Sequence, residues 1–173
     1  MHVCFASGAK IIEIGCGSGR DASRALADGY DIIALDGSNS LLNEAVGLHP
    51  ELAGRLVCSQ LPAELQFSDN SFDGFFSVAC LMHFALPDIR QILFEVARIL
   101  KQNAAGLVSL PTARGDVDNT GLDEHGRIFN LMPQKDWIKL FNECGFLSEA
   151  GPEEADSLGR AGISWVTFIL KKK

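Results

Sequence analysis

Three glycines at alternate positions form the segment of this sequence best suited to hold a ligand. Gly15, Gly17 and Gly19 directly follow an apolar run that reads as a strand, and a helical pattern begins after them. Glycine permits sharp turning and lets a ligand lie against the backbone, and the helix that follows offers unpaired N–H groups at its start. This strand–loop–helix context favours a binding loop over an ordinary tight turn, which is the alternative.

The spacing of the glycines distinguishes between two kinds of ligand. A dinucleotide fingerprint requires glycine at the first, third and sixth positions, but the sixth position here is Arg20, whose side chain would crowd a pyrophosphate. Asp36 ends the second predicted strand, where a carboxylate can accept hydrogen bonds from both hydroxyls of a ribose. A helix cap or a turn is the alternative role for Asp36, but the order of these features favours a nucleoside-binding site.

Four residues on predicted loops could act as a general base, which a nucleophile needs only if it arrives protonated. These candidates are His83, Asp123, Glu124 and His125. Packing at the loop is the alternative role for His83, and a solvated loop is the alternative for the other three. Arg114 and Arg127 could orient a carboxylate or another acidic substrate, with a surface role as the alternative.

Strands and helices alternate along most of the chain. We expect strands at 10–14, 31–35, 56–58, 72–78, 106–110, from 146, and at 165–170, and helices at 21–27, 41–48, 87–100 and 133–144. This alternation predicts a mainly parallel α/β sheet covered on both faces, which binds ligands beyond the carboxyl ends of its strands. We expect a loop at 111–132, core positions for Trp137 and Trp165, and a solvated tail at the three C-terminal lysines.

The composition excludes several classes of function. The net charge of −7 argues against a protein that grips nucleic acid phosphates. No apolar run approaches the roughly 18 residues of a membrane helix, and the N-terminus does not read as a signal peptide. The five cysteines include no CxxC pair, so no metal site is predicted. We expect buried, reduced thiols, including Cys58 and Cys80, in a cytoplasmic protein.

Several segments resemble the class I S-adenosylmethionine-dependent methyltransferases over nearly the whole chain. Residues 13–19 are similar to the first motif of that family, an acid followed by GxGxG, and residues 19–38 to its continuation through the second strand. The turn at 69–73 and the segment at 81–84 resemble those around the fourth strand. Phe129 and residues 133–146 resemble the late helix and the start of strand six.

The resemblance implies a Rossmann-like, doubly wound sheet of seven strands, with the last strand antiparallel and inserted beside the fifth. It implies S-adenosylmethionine as the cofactor, with Asp36 at the ribose, Gln60 and Leu61 beside the adenine, and the carbonyl of Ala79 at the cofactor's amino group. The residues expected to bind the cofactor are Glu13, Gly15, Cys16, Gly17, Gly19, Asp36, Gly37, Ser38, Gln60, Leu61 and Ala79. His83 is expected near the substrate opening, as the catalytic residue.

Two departures from the family pattern bear on these expectations. The family often places an Asp after strand three, where this chain has Gln60, and Pro62 has no N–H to give. Members also carry helices before the first strand, whereas about nine residues precede Lys10 here. The N-terminal helices are therefore expected to be short or missing. A sheet face left bare in this way predicts self-association into a homo-oligomer.

The resulting prediction is a single domain over residues 1–173 that methylates a small molecule, yielding S-adenosylhomocysteine. No nucleic acid or membrane partner is expected. One alternative is a nicotinamide-dependent oxidoreductase with a similar sheet, which Arg20 and the absence of a Tyr–Lys pair disfavour. Another is a truncated cofactor-binding domain without catalysis.

Overall fold

A computed structural model of the chain, which describes residues 4–173, has one seven-stranded sheet with helices on its faces. The strands are β1 (Lys10–Ile14), β2 (Asp31–Asp36), β3 (Leu56–Cys58), β4 (Phe72–Val78), β5 (Leu100–Arg114), β6 (Phe146–Ala155) and β7 (Ile163–Lys172). The α-helices are α1 (Arg20–Ala27), α2 (Asn39–Leu48), α3 (Leu86–Ile99) and α4 (Gln134–Glu143), and short 3-10 turns occupy Pro50–Leu52 and Leu81–His83.

The strand order is β3-β2-β1-β4-β5-β7-β6. Strands β1 to β5 pair in parallel, and β7 runs antiparallel to both β5 and β6. The predicted sheet, with its antiparallel last strand beside the fifth, is therefore confirmed. Strand order reverses between β1 and β4, so the loops that follow these two strands meet at the edge where such sheets bind ligands.

Burial on both faces explains why the central strands are almost wholly apolar. Ile11 of β1 packs in one core with Ala22 and Ala25 of α1, whereas Ile12 packs in the other core with α3 and α4. On α3, apolar residues at helical spacing form one buried stripe, made of Ile89, Ile92, Leu93, Val96 and Ile99. The sheet therefore holds its carboxyl-end loops on a rigid, two-sided core.

Strands β5 and β7 are much longer than the sequence predicts. Strand β5 begins at Leu100 and continues to Arg114, because β7 pairs with it from Ala105 to Arg114. The predicted lysine tail is instead part of the sheet, although Lys171 and Lys173 are exposed as predicted. Lys172 lies within β7, and its Nζ donates a hydrogen bond of 2.6 Å to the carbonyl of Leu100.

The burial predictions are confirmed only in part: Cys16 and Cys144 are buried thiols, as expected. Cys58 is exposed at the end of β3, an edge strand with half-buried and exposed residues, and Cys80 is half-buried. Trp137 is fully buried in the core, as predicted. Trp165 is only partly buried and lines a cavity beside the sheet. Among residues 4–173, no helix has both the length and the apolar character needed to cross a membrane.

Candidate active site

The glycine loop between β1 and α1 is tied to the end of β2. The backbone N–H groups of Gly15 and Cys16 both donate to the carbonyl of Leu35, each at 2.9 Å. The N–H of Gly17 donates to Oδ2 of Asp36, also at 2.9 Å. The loop and the acid that follows the second strand therefore form one hydrogen-bonded unit.

The glycines of this loop have different reasons to be glycine. Gly15, Gly17 and Gly19 all have positive φ angles, of 78°, 54° and 80°. A Cβ added at Gly15 would lie 2.6 Å from the Cβ of Cys80, so this position is closed by packing. A Cβ added at Gly17 would meet no atom within 4 Å. Gly17 therefore borders open space, as a backbone that contacts a ligand must.

Asp36 is oriented by backbone donors on both of its oxygens. Oδ1 accepts a hydrogen bond of 2.9 Å from the N–H of Ser38, and Oδ2 accepts the one from Gly17. Ser38 in turn caps α2, because its hydroxyl accepts from the N–H of Leu41 at 3.3 Å. Each carboxylate oxygen can accept more than one hydrogen bond, so Asp36 retains acceptor capacity for two hydroxyl groups.

Glu13 lies buried behind the glycine loop. It is 2% exposed, and its Oε2 has no hydrogen-bond partner among the described residues. Burial, followed by the nearby carboxylates of Asp21 and Asp36, raises the pKa of Glu13 to about 8. A buried carboxyl with an unused oxygen beside a binding loop is suited to a cationic ligand, whose charge would favour the ionised form.

The other predicted cofactor residues surround the same edge of the sheet. Gly37 faces the segment after β3, because a Cβ added there would lie 3.7 Å from the Cα of Gln60. Gln60 is exposed, whereas Leu61 packs against the core. Ala79 has a left-handed φ of 54°, and its N–H donates to the carbonyl of Ser109 at 3.0 Å. Such backbone strain occurs often at functional sites.

Cys16 is suited to contribute through its backbone and not through its thiol. Its side chain is buried, and burial, with the nearby carboxylates of Glu13 and Asp36, raises the pKa of its thiol to about 12. A thiol with so high a pKa is a poor nucleophile at neutral pH. Within residues 4–173, no group of three or more His, Cys, Asp or Glu side chains could hold a metal ion.

A cavity of about 390 Å³ opens beyond the carboxyl ends of β4 and β5. Ala79 and His83 line it from the β4 side, and Phe129 and Trp165 line it from the β5 and β7 side. The cavity therefore touches the candidate cofactor region at Ala79 and extends away from it. Its volume is typical of a small-molecule site.

His83 presents one ring nitrogen as a base. Its Nδ1 lies 2.7 Å from the carbonyl of Ile128, which can only accept a hydrogen bond, so Nδ1 carries the proton and Nε2 keeps its lone pair. Burial, with the guanidinium charges of Arg127 and Arg114, lowers the pKa of His83 below its usual value. His83 is therefore largely neutral at neutral pH, as a general base must be.

The ring of Phe129 contacts three other side chains that line the cavity. It makes an edge-to-face contact with His83, at 4.5 Å between centroids. The guanidinium of Arg114 lies 4.1 Å from the centre of the Phe129 ring, and that of Arg127 lies 5.7 Å away. These cation–π contacts hold both arginines beside the histidine.

Two arginines of the cavity are presented by loops of the same sequence pattern, Asp-x-x-Gly-Arg. In residues 123–127 and 156–160 the Asp carboxylate accepts hydrogen bonds from the backbone N–H groups two and four positions later. The glycine has a positive φ in both loops, at 74° for Gly126 and 71° for Gly159. Arg127 and Arg160 each close their loop by donating from Nε and Nη2 to the Asp carboxylate.

Sequence reasoning did not identify Asp156 or Arg160, and it assigned Trp165 to the core. Trp165 donates from Nε1 to Oδ1 of Asp156 at 2.9 Å, which joins the second Asp-x-x-Gly-Arg loop to β7. The repetition of this pattern at 123–127 and 156–160 is the signal that could have found Arg160. Nothing in the pattern alone shows that both arginines reach one cavity.

The other candidate bases do not reach the cavity. Asp123 is buried and serves its own loop; burial alone would raise its pKa, but hydrogen bonds, chiefly from Arg127, hold it at about 2. Glu124 and His125 have side chains 86% and 67% exposed, and they lie 3.6 Å from one another. Of the four candidates, only His83 lines the cavity.

Comparison with known proteins gives consistent results. Residues 11–103 match the family model described as a methyltransferase domain. The chain is 33% identical over 99 residues to O-methyltransferase resE of Aspergillus sclerotiorum, covering 55% of this chain and 37% of that protein. It is 34% identical over 110 residues to phosphoethanolamine N-methyltransferase 2 of Caenorhabditis elegans, covering 61% and 24%. The chain spans between 24% and 64% of the length of the curated relatives it matches.

Solved structures share the fold at low sequence identity. One is 1,6-didemethyltoxoflavin-N1-methyltransferase of Burkholderia thailandensis, solved with 1,6-didemethyltoxoflavin and S-adenosylhomocysteine bound. It superposes with a TM-score of 0.76 at 18% identity, over 96% of this chain and 72% of that one. The similarity extends through β6 and β7, beyond the residues that the family model matches.

Proposed function

The chain belongs to the class I S-adenosylmethionine-dependent methyltransferases, and we propose that it binds S-adenosylmethionine at the glycine loop and methylates a small molecule in the adjoining cavity. The observation that carries the proposal is the hydrogen bond from Gly17 to Asp36, which joins the loop to the ribose-binding acid. The open space at Gly17 and the unpartnered Oε2 of Glu13 support the same cofactor.

We assign the parts of the cofactor to the residues that suit them chemically. The backbone of the loop, including Cys16 and Gly19, would lie against its methionine part, and Glu13 would be favoured in its charged form by the cofactor's positive charges. Asp36, with Gly37 and Ser38, would accept the ribose hydroxyls. Gln60 and Leu61 would flank the adenine, and the carbonyl of Ala79 would accept from the amino group.

When bound, S-adenosylmethionine supplies a methyl group on a positively charged sulfur, an already activated leaving group. The protein's main contributions are therefore alignment of the acceptor and exclusion of water. Phe129 and the partly buried Trp165 form apolar walls of the cavity that serve this purpose. For an acceptor that arrives protonated, Nε2 of His83 takes the proton while Ile128 holds the ring in place.

Titration calorimetry with S-adenosylhomocysteine tests the cofactor assignment. We expect binding of micromolar order, about −8 kcal/mol. Asp36→Ala should weaken it on the order of 100-fold, because two hydrogen bonds to a charged acceptor are lost. Asp31→Ala is the matched control, since Asp31 lies at the opposite end of the same strand and pairs with Arg55.

Two results of this titration would reject the assignment. Heat with NADH but none with S-adenosylhomocysteine would favour the oxidoreductase alternative. Equal affinity in wild type and folded Asp36→Ala would remove Asp36 from the ribose site. A single domain over 1–173, a cytoplasmic location and the absence of nucleic acid or membrane partners stay predictions.

A further inference from the structure

The side chains that line the cavity beside His83 carry more positive than negative charge. Four arginines line it, at positions 20, 114, 127 and 160, against two carboxylates, Glu154 and Asp156. The chain as a whole carries a net charge of −7. His83 adds no charge at neutral pH, because its pKa is lowered. An excess of guanidinium groups among the lining side chains favours the binding of negatively charged small molecules.

Three of these arginines are each held by a double contact to an aspartate, although the side chains of Arg127 and Arg160 are 56% and 45% exposed. Arg114 is 5% exposed in its side chain and donates from Nε and Nη2 to Asp116, at 2.9 and 2.6 Å. Arg127 and Arg160 make the corresponding double contacts to Asp123 and Asp156. A guanidinium held in this way loses little conformational entropy when it binds a further partner.

Each of the three guanidinium groups retains an unused donor. The Nη1 atoms of Arg114, Arg127 and Arg160 have no hydrogen-bond partner in the part of the chain that the structure describes. Guanidinium donors match the planar geometry of carboxylate and the oxygens of phosphate. The arginines come from the end of β5, the loop before α4 and the loop between β6 and β7.

We propose that the methyl acceptor is a small organic anion, a carboxylate or a phosphate monoester, held by Arg114, Arg127 and Arg160. This rests on the proposed methyltransferase function, because it describes the molecule that receives the methyl group. The anionic group binds at the arginines, and the atom to be methylated lies toward His83 and Ala79. The cavity has the volume of a small-molecule site, so one small acceptor can place its anionic group at the arginines and its reacting atom toward His83 and Ala79.

Arginines whose ion pairs served only to stabilise loops would not be expected to line one cavity. Arg114 and Arg127 line the cavity whereas their partners Asp116 and Asp123 do not, and at the third pair both Arg160 and Asp156 line it. Arg90 is an example of an arginine with a purely structural ion pair. It pairs with Glu143 at 2.7 Å between α3 and α4 and lines no part of this cavity. Three separate segments of chain place arginines at one cavity.

Binding of matched aromatic probes tests the inference. Benzoate, phenyl phosphate and the neutral benzamide are titrated into the full chain, and binding is followed by tryptophan fluorescence. Trp165 lines the cavity, whereas Trp137 is buried in the core and reports little. We expect an anionic probe to bind at least about tenfold more tightly than benzamide, from charge-assisted hydrogen bonds. Tighter binding of benzoate would identify the acceptor as a carboxylate, and tighter binding of phenyl phosphate would identify it as a phosphate monoester.

Variants assign the effect to the arginines. Arg127→Gln and Arg160→Gln should each weaken the anionic probe about tenfold, with benzamide unchanged, and Arg90→Gln should have no effect. Equal affinity of wild type for all three probes would overturn the inference without any variant. An affinity for the anionic probe that is unchanged in both Arg127→Gln and Arg160→Gln would also overturn the inference.

The same samples distinguish failure of this inference from failure of the proposed function. Each protein is also titrated with S-adenosylhomocysteine. Cofactor binding without anion selectivity rejects the anionic acceptor and leaves the methyltransferase proposal intact. Absence of cofactor binding rejects the proposed function, whatever the probes show.

Discussion

Two titratable residues, the buried Glu13 and the half-buried His83, are held neutral by their surroundings near pH 7. The pKa of Glu13 is raised to about 8, chiefly by burial, and that of His83 is lowered, also chiefly by burial. Neutrality prepares the two groups for different tasks. Glu13 is poised to ionise when a cation binds, and His83 is poised to accept a proton.

The cofactor-free protein should lose stability as pH rises because of Glu13. Its pKa of about 8 in the folded protein exceeds the ordinary glutamate value of 4.5, so between these pH values the folded state binds the extra proton. The Glu13 contribution is full below about pH 4.5 and is lost as pH rises through about 8. At roughly 1.4 kcal/mol per pKa unit, the loss is on the order of a few kcal/mol.

Thermal melting of Glu13→Gln against wild type across this range measures the effect. The melting temperature of Glu13→Gln should match that of wild type at pH 5 and exceed it at pH 8.5. Glu124→Gln changes an exposed position, so its melting temperature should follow that of wild type at both pH values. A difference between Glu13→Gln and wild type that does not change with pH would contradict the account.

His83 should titrate below the pKa of about 6.5 of an ordinary histidine. Nitrogen-15 NMR of the imidazoles reads both the pKa and the tautomer. We expect protonated Nδ1 and bare Nε2, since Nδ1 donates to Ile128. His125, whose side chain is 67% exposed, is the internal reference. Protonation at Nε2, or a pKa at or above 6.5, would remove His83 as the base.

Among the elements, the glycine loop was predictable from sequence and the cavity wall was not. A strand, three glycines, a helix and an acid after the next strand occur in a fixed order, and local spacing records them. The cavity wall depends on β5 and β7 extending each other, since Pro111 pairs with Trp165 and Arg114 pairs with Ile163. Such long-range pairing leaves no local periodicity, so the strand ends and Arg160 were missed.

Gly15→Ala and Gly17→Ala should separate the packing role of the loop from its binding role. Both substitutions force a positive φ, which costs about 1–2 kcal/mol. At Gly15 the new Cβ also collides with Cys80, which should add roughly 1–3 kcal/mol from overpacking. Gly17→Ala should melt higher than Gly15→Ala yet bind S-adenosylhomocysteine far more weakly than wild type.

Melting curves and calorimetry on the two variants decide this prediction. Gly29→Ala is the control, because Gly29 also has positive φ and open space but lies at the far end of α1. Wild-type cofactor affinity in Gly17→Ala would show that its open space does not face the cofactor.

On the scale of the whole molecule, one part of the sheet is less well covered than the rest. Leu107 of β5 is only partly buried, and Ile169, its partner on β7, is 42% exposed. Leu147 of β6 is also exposed. Apolar residues close together on one sheet face favour association between molecules.

We therefore keep the prediction of a homo-oligomer. Light scattering at increasing concentration should give a mass above that of one chain, and Ile169→Lys should shift it toward the monomer. A monomer at high concentration in wild type would reject the prediction. It would leave the cofactor and acceptor assignments unaffected, since neither uses this face.

Transfer of a labelled methyl group tests the central claim most directly. The protein is incubated with S-adenosylmethionine carrying a deuterated methyl group and a pool of small organic anions and neutral analogues, and products are identified by mass spectrometry. We predict S-adenosylhomocysteine together with a labelled anionic product, both lost in Asp36→Ala. Label that stays on S-adenosylmethionine with every member of a broad pool, in a protein that binds the cofactor, would contradict the account.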